Sequence, residues 1–364
     1  MDLDLNRPAW NPAALRFNDA IGHCSNYPLA FVYGLFMALS GHILGRRSYI
    51  RYATPLYPNS YICLVGPSAL SHKSTALSLG LASLGDDLAG MFPLRSVTTR
   101  QGVLAALENN GGTGLIVLDE LATLLFKKQE FASDLLSTIV ELYGCPSNAG
   151  NYTRYKPISV ENVFLTLVSG STTEWLRTGL TATNLMAGFG NRVTFVLGDP
   201  RKAQAWPGTP LPFSWERLWH YGAVLRLSTD AQQIWDNYYA EFDATQHTMA
   251  PFLRVLRERI PEKVLKAAIV MAAWRNVDLI DDDLLERAID WGAYLTESIT
   301  RLAPAFEAED KLVLAAIEGG AHSRKELFEA LSHQMTAKRI REAIDNLRWL
   351  KYIECVNDKY LIAG

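Results

Sequence analysis

Two short stretches of this chain bring together residues suited to phosphate chemistry. In the first, a β-prone apolar run, Tyr61 to Val65, ends at Gly66, and the loop that follows leads through Ser68 and His72 to Lys73-Ser74-Thr75. Ala76 to Ala82 then continues in a helical pattern. In a strand–loop–helix of this kind, backbone N–H groups and a helix N-terminus cradle phosphate oxygens. Lys73 would reach the β- and γ-phosphates of ATP, and Ser74 would ligate Mg²⁺. The spacing departs from G-x-x-x-x-G-K-S/T: Gly66 stands one residue further from Lys73, and His72 replaces the second glycine, where it fills a structural position. The competing reading is a strand–loop–helix with a surface Lys-Ser.

The second stretch is Gly114-Leu-Ile-Val-Leu-Asp119-Glu120, a buried-strand pattern running into two acids. Asp119 would hold the Mg²⁺ shell and Glu120 would orient or deprotonate the attacking water. A strand entering an acidic turn is common by itself. An acidic strand end that follows a phosphate-loop pattern in the same chain reads as a nucleoside triphosphatase.

The elements that must position these residues follow from periodicity. Leu29 to Gly45 reads as a buried helix, Tyr49 to Tyr52 as a short strand, Val103 to Glu108 as a helix and Leu121 to Tyr143 as helical. Val163 to Val168 and Val193 to Leu197 are further buried strands, and the alternation predicts a three-layer α/β domain with parallel strands. Residues 1–26 read as an arm along the surface. Gly144 to Pro157 is a strand-prone insertion, and Gly198 to Pro212 a Pro-rich linker. From Trp215 to Leu302 only helical periodicity is visible, with Trp206, Trp215, Trp219 and Trp235 expected to pack between the helical part and the core. Asp310 to Gly364 reads helix, helix, helix and a hairpin turning at Asn357-Asp358, the pattern of a winged helix-turn-helix. The expected division is 1–198, 199–305 and 306–364.

Composition narrows the class. With 49% hydrophobic and 20% charged residues, the 364-residue chain fits an ordinary soluble protein with ample core. The apolar run Leu29 to Leu39 is too short to span a bilayer, no secretory signal is visible, and no membrane partner is expected. Four scattered cysteines without a C-x-x-C predict neither zinc nor disulfides and point to a reducing cytoplasm. At a net charge of −3, any nucleic-acid contact must come from local patches.

The order of motifs resembles the AAA+ ATPases. Within these it is most similar to ATPase-helicase proteins of plasmids, phages and integrated islands, a group long labelled a domain of unknown function. The matching residues are Leu44-Gly45-Arg46-Arg47, Pro58-Asn59-Ser60-Tyr61, Val65-Gly66-Pro67-Ser68, His72-Lys73-Ser74-Thr75, Asp119-Glu120-Leu121, Gly188-Phe-Gly-Asn-Arg192 and Ile260-Pro261-Glu262. The Arg192 segment also resembles a motif of minichromosome-maintenance helicases. The resemblance covers roughly Leu29 to Ala272 and implies an AAA+ core, a helical lid and a ring-shaped homo-oligomer, a hexamer, driven by ATP on DNA. The chain lacks the primase and the large N-terminal collar of the bigger members, so a separate primase or other replication protein becomes a candidate partner.

Site residues follow from that resemblance. Ser171 or Thr172 would contact the γ-phosphate; both also suit a helix cap before Glu174. Arg192 would be an arginine finger for a neighbouring subunit, against the alternative of an ordinary strand-flanking arginine. Arg257 or Arg259 would be the lid sensor. Arg154 and Lys156 form a basic-aromatic tip that would grip DNA in a pore or stay solvated. Lys338, Arg339 and Arg341, with Arg348 and Lys351, give the last helix a basic face for duplex DNA, protein docking being the other use of such modules. Two functions compete: an ATP-driven DNA translocase or helicase of a mobile genetic element, and an ATP-gated assembly factor (loader or transposition regulator) that does not unwind DNA. A nucleotide kinase leaves the helical lid and the C-terminal module without a role.

Overall fold

The computed structural model describes residues 3–85, 93–94, 99–125, 129–151, 157–179, 188–202, 205–246, 249, 251–302, 308–350 and 352–362. In chain order, helices α1 (Pro12–Ile21) and α2 (Leu29–Leu44) precede strands β1 (Tyr49–Arg51), β2 (Pro55–Leu56) and β3 (Tyr61–Val65). Then come α3 (Lys73–Ala82), β4 (Pro93–Leu94), α4 (Arg100–Asn109), β5 (Thr113–Leu118) and α5 (Gln129–Leu142). Next are β6 (Asn148–Asn151), β7 (Ile158–Glu161), β8 (Phe164–Ser171), α6 (Thr173–Gly179) and β9 (Val193–Leu197). The fold is α/β: β4, β5, β8, β3 and β9 lie side by side in that order as one parallel sheet.

Parallel strands are covered on both faces, which is why β3 and β8 are apolar or small and buried at every position. Neighbouring residues of β3 show the two layers. The Tyr61 hydroxyl donates to the Ile139 carbonyl of α5 at 2.9 Å, while Ile62 packs against Gly34 of α2. Helix α2 is buried along nearly its whole length, which accounts for its apolar sequence. Leu29–Arg47 is long and apolar enough to cross a membrane, and most of it is buried inside the protein.

The remaining elements are β10 (Val224–Leu227), α7 (Thr229–Gln246), α8 (Pro251–Arg257), α9 (Ile260–Arg275), β11 (Leu279–Ile280) and α10 (Asp282–Leu302). Two strands therefore interrupt the stretch expected to be helical throughout. β10 pairs in parallel with β1 and β11 in parallel with β10, giving a second sheet ordered β11-β10-β1-β2. Periodicity missed them because they are short and half exposed, and only the partner strand from residues 49–51 makes them strands.

One apolar core runs through α2, the parallel sheet, α9 and α10. Residue 198 thus marks a change in secondary structure and not a break in the core. Lys263 donates to the Val193 carbonyl at 2.7 Å, and Tyr294 to the Leu197 carbonyl, tying α9 and α10 to the two ends of β9. The N-terminal segment is part of this core and does not merely lie on its surface: Leu3 and Trp10 are buried, Trp10 packs on Tyr33, and Arg7 pairs with Asp290 and Glu297 of α10. Trp215 and Trp235 are buried as expected, but Trp206 is 91% exposed.

A second, smaller core lies in α11 (Ala308–Glu318), α12 (Arg324–Leu331), α13 (Ala337–Trp349) and the antiparallel pair β12 (Ile353–Val356) and β13 (Lys359–Ile362). Ser323 and Glu326 form a capping box on α12, and Thr336 caps α13. The hairpin turns on Asn357 and Asp358, both at positive φ, as a two-residue turn between twisted strands requires.

Candidate functional site

Parallel strands end together, so residues far apart in sequence meet at the carboxyl edge of the sheet. Val65 pairs with Ser171 and Leu118 with Ser169, which brings Gly66, Asp119, Glu120 and Ser171 to one edge. The loop from Gly66 joins this edge to α3. Ala69 and His72 both adopt left-handed backbone (φ 61 and 47), and His72 provides no side-chain cap for α3. The first amides of α3 have no intrahelical acceptor, which suits an anion. Ser68, Ser74 and Thr75 are exposed around this helix start.

Lys73 turns back over the loop. Its Nζ donates to the Gly66 carbonyl at 2.8 Å, the Pro67 carbonyl at 3.3 Å and Ser71 Oγ at 3.3 Å. The buried Ser71 hydroxyl in turn donates to the Pro67 carbonyl at 2.7 Å. A Cβ at Gly66 would lie 2.7 Å from Ser71, so this turn is closed to larger residues. Burial lowers the Lys73 ammonium pKa, partly opposed by Glu120.

The two acids differ in setting. Asp119 is exposed at the edge, while Glu120 is half-buried and held. Glu120 Oε1 accepts from the Ser171 hydroxyl and, at 3.1 Å, from the Ala122 amide. Of the pair Ser171 and Thr172, the serine therefore touches the carboxylate, whereas Thr172 accepts from the Trp175 amide at 3.2 Å and caps α6. Gly170 lets the parts converge: a Cβ there would sit 3.0 Å from the Asp119 carbonyl and 3.4 Å from Lys73 Cβ. Sequence reasoning passed over Gly170, although a glycine inside a strand signals close approach of another group.

The predicted arginines lie elsewhere. Val193 pairs with Tyr61, so Arg192 sits at the amino edge of the sheet, a strand length of about 15 Å from the Lys73 edge. Its Nη1 donates to the Gly188 carbonyl at 2.6 Å and to Asn191 Oδ1 at 3.2 Å. Arg259, one of the two lid-sensor candidates, also stands at this amino edge: it shares the Tyr143 ring with Arg192 and pairs with Glu262. Arg257 is buried over Phe242 at 4.8 Å. The start of α9 lies at the amino edge, where Lys263 meets the Val193 carbonyl, so Arg259 just before it stands about a strand length from the loop at the other end.

Around Tyr143 the amino edge is dense in charge. Lys266 Nζ lies 3.9 Å from the ring centroid, 3.1 Å from Glu262 Oε1 and 2.9 Å from Asn59 Oδ1. The Asn59 amide nitrogen donates to the Tyr143 carbonyl at 2.9 Å, which explains a buried asparagine before β3. Burial alone would raise the Glu262 pKa, but Lys266 and Arg259 outweigh it and hold it at about 2. Burial pushes the Lys263 ammonium down to about 7. Desolvation, and then Arg259, lower the pKa of Arg192.

On α13, Lys338 and Arg341 are exposed, and Arg339 pairs with Glu309 at 2.9 Å. The strand-prone insertion contains β6, which pairs antiparallel with β7, but Arg154 and Lys156 lie outside the described residues. Among the described residues no group of three or more His, Cys, Asp or Glu side chains is placed to hold a metal.

The chain is thus an α/β protein whose parallel sheet gathers a lysine, two carboxylates and a serine at one edge and a set of cations at the other. Comparison with protein-family models and with curated proteins gives no match.

Proposed function

We propose that this protein is an ATP-hydrolysing, ring-forming DNA translocase or helicase of AAA+ type, serving replication of a mobile genetic element. The observation that carries the reading is the meeting of Lys73, Glu120 and Ser171 beside the uncapped start of α3, at the carboxyl edge of a parallel sheet. Open α/β sheets bind ligands in this place. Lys73 and the loop amides bind the phosphates, Ser171 stands where it meets the terminal phosphate, and Glu120 takes a proton from the attacking water. Ser74 and Asp119 offer the oxygen donors that suit Mg²⁺, which keeps part of its shell from water and phosphate and so needs few protein ligands. Bound there, Mg²⁺ neutralises charge on the phosphates.

Arg192 and Arg259 serve the site of the next subunit. They stand together at the edge opposite Lys73, and a head-to-tail contact between unlike edges closes into a ring such as a hexamer. The three helices and hairpin at the C-terminus support a winged helix-turn-helix that holds DNA through Lys338, Arg339 and Arg341.

The deciding experiment measures ATP hydrolysis with and without single-stranded DNA, together with unwinding of a forked duplex. DNA-stimulated hydrolysis with unwinding supports the motor. Hydrolysis without unwinding selects the assembly factor, and no hydrolysis under any condition overturns both.

A further inference from the structure

At the amino edge, the β1–β2 hairpin, α7 and the start of α9 enclose a cleft of about 400 Å³, a size typical of small-ligand sites. Tyr52 and Tyr57 from the β1–β2 hairpin and Trp235 and Tyr239 from α7 line it. Tyr143, Arg259 and Lys266 also line it. The outer rings are open to solvent: Tyr52 is 57% exposed and Tyr239 46%.

Charge in this region is unbalanced. Arg259 and Lys266 line the cleft, Arg192 shares the Tyr143 ring with them, Lys263 is buried on the same helix turn, and Arg46 lies over the Tyr57 ring at 4.4 Å. Within the lining itself two carboxylates, Glu258 and Glu262, match Arg259 and Lys266; the positive excess comes from Arg192 and Arg46 beside it, which donate to backbone carbonyls. Glu262 is shared by Arg259 and Lys266, and Glu258 accepts from Asn191 at 2.7 Å. Partly buried cations in such excess favour an anion from outside. An extended peptide is a poor occupant, because the neighbouring edge strand β2 has two residues and one of them, Pro55, lacks an N–H.

We propose that this cleft binds a nucleotide unit, its base against the tyrosine and tryptophan rings and its phosphate at Arg259 and Lys266, as a site separate from the Lys73 loop. Flat rings accept any base, and the cations accept the phosphate attached to it. The ligand is either a free nucleoside phosphate or one nucleotide of a single strand. Of the cleft residues only Arg259 enters the ATPase reading, at the site of a neighbouring subunit, so the test varies the tyrosines and leaves Arg259 in place.

The test uses the full chain carrying Lys73→Ala, titrated with two probes: ribose-labelled fluorescent ADP and a fluorescein-labelled oligothymidylate. Saturable binding of either probe, weakened at least tenfold by adding Tyr52→Ala with Tyr239→Ala and retained by Tyr52→Phe with Tyr239→Phe, is expected. Response to ADP alone identifies a free-nucleotide site, and response to the oligonucleotide identifies a strand site. Both tyrosines are exposed, so circular dichroism should match the parent. If neither probe saturates, or the alanine pair binds both as tightly as the parent, the cleft is no nucleotide site. Should Lys73 itself prove to bind no nucleotide, the comparison between tyrosine variants is read in the same way.

Discussion

Arg192 and Arg259 stand over one ring: their guanidinium carbons lie 5.9 and 5.8 Å from the centroid of Tyr143. Both stand at the edge of the sheet opposite the Lys73 loop of their own chain, and in the proposed ring their charge meets the nucleotide of the neighbouring subunit.

Arg192→Ala should accordingly bind ATP as the parent does while hydrolysing it slower by about 10³ or more, the scale of an arginine finger. Arg259→Ala should lose turnover in the same sense. Mixing Arg192→Ala with Lys73→Ala should restore partial activity, because one subunit supplies the intact loop and the other the intact guanidinium. Hydrolysis by Arg192→Ala alone at the parent rate would remove the main support for a ring.

Glu120→Gln should keep ATP affinity and lose turnover by about 10²- to 10⁴-fold, the range of general-base catalysis. Ser171→Ala removes the hydroxyl that holds Glu120 Oε1 and, among the described residues, leaves the Ala122 amide. Its turnover should fall by less than that of Glu120→Gln, with ADP affinity unchanged. Single-turnover hydrolysis beside equilibrium titration with ADP separates these effects.

Lys263 should make stability depend on pH. Its folded pKa, about 7, lies below the ordinary lysine value of 10.5, so between these limits the unfolded chain holds a proton that the folded chain has released. Stability from this group therefore rises with pH across that window, by up to about 1.4 kcal/mol per pH unit, and its penalty is complete below pH 7. Urea unfolding at several pH values from 7 to 9 should show the rise in the parent and its loss in Lys263→Met. Equal slopes in the two proteins would mean that Lys263 keeps its proton in the folded state.

On the C-terminal unit, Arg339→Ala with Arg341→Ala should weaken duplex binding and reduce its salt slope by about 2, nearly one for each phosphate that is no longer neutralised. Glu309 competes for Arg339, so Glu309→Gln should strengthen binding at low salt. An unaltered slope in the double variant assigns the module to protein docking.

The local features of the chain were legible without coordinates. β3, β9 and the final hairpin follow from runs of apolar residues and a two-residue Asn-Asp turn, because strand and turn preferences act over a few residues. The start of α9 at Ile260 and the end of α2 before Gly45 were readable for the same reason. The residues of the carboxyl edge also came from sequence, since Lys73-Ser74 and Asp119-Glu120 each sit where a strand pattern stops.

Tertiary structure decided what depends on which strand lies beside which. The parallel register puts Ser171, and not Thr172, on Glu120. It also puts Gly170 between Lys73 and Asp119. Strands β10 and β11 exist only because β1 pairs with β10, and β10 in turn with β11. Arg259 illustrates the limit most sharply. Sequence places it at a helix start, but only the packing of α9 against the amino end of β9 decides that it joins Arg192 and Tyr143, far from Lys73. A helix carries its amphipathic period in its own residues, whereas the edge of the sheet it crosses is set by contacts with residues distant in the chain.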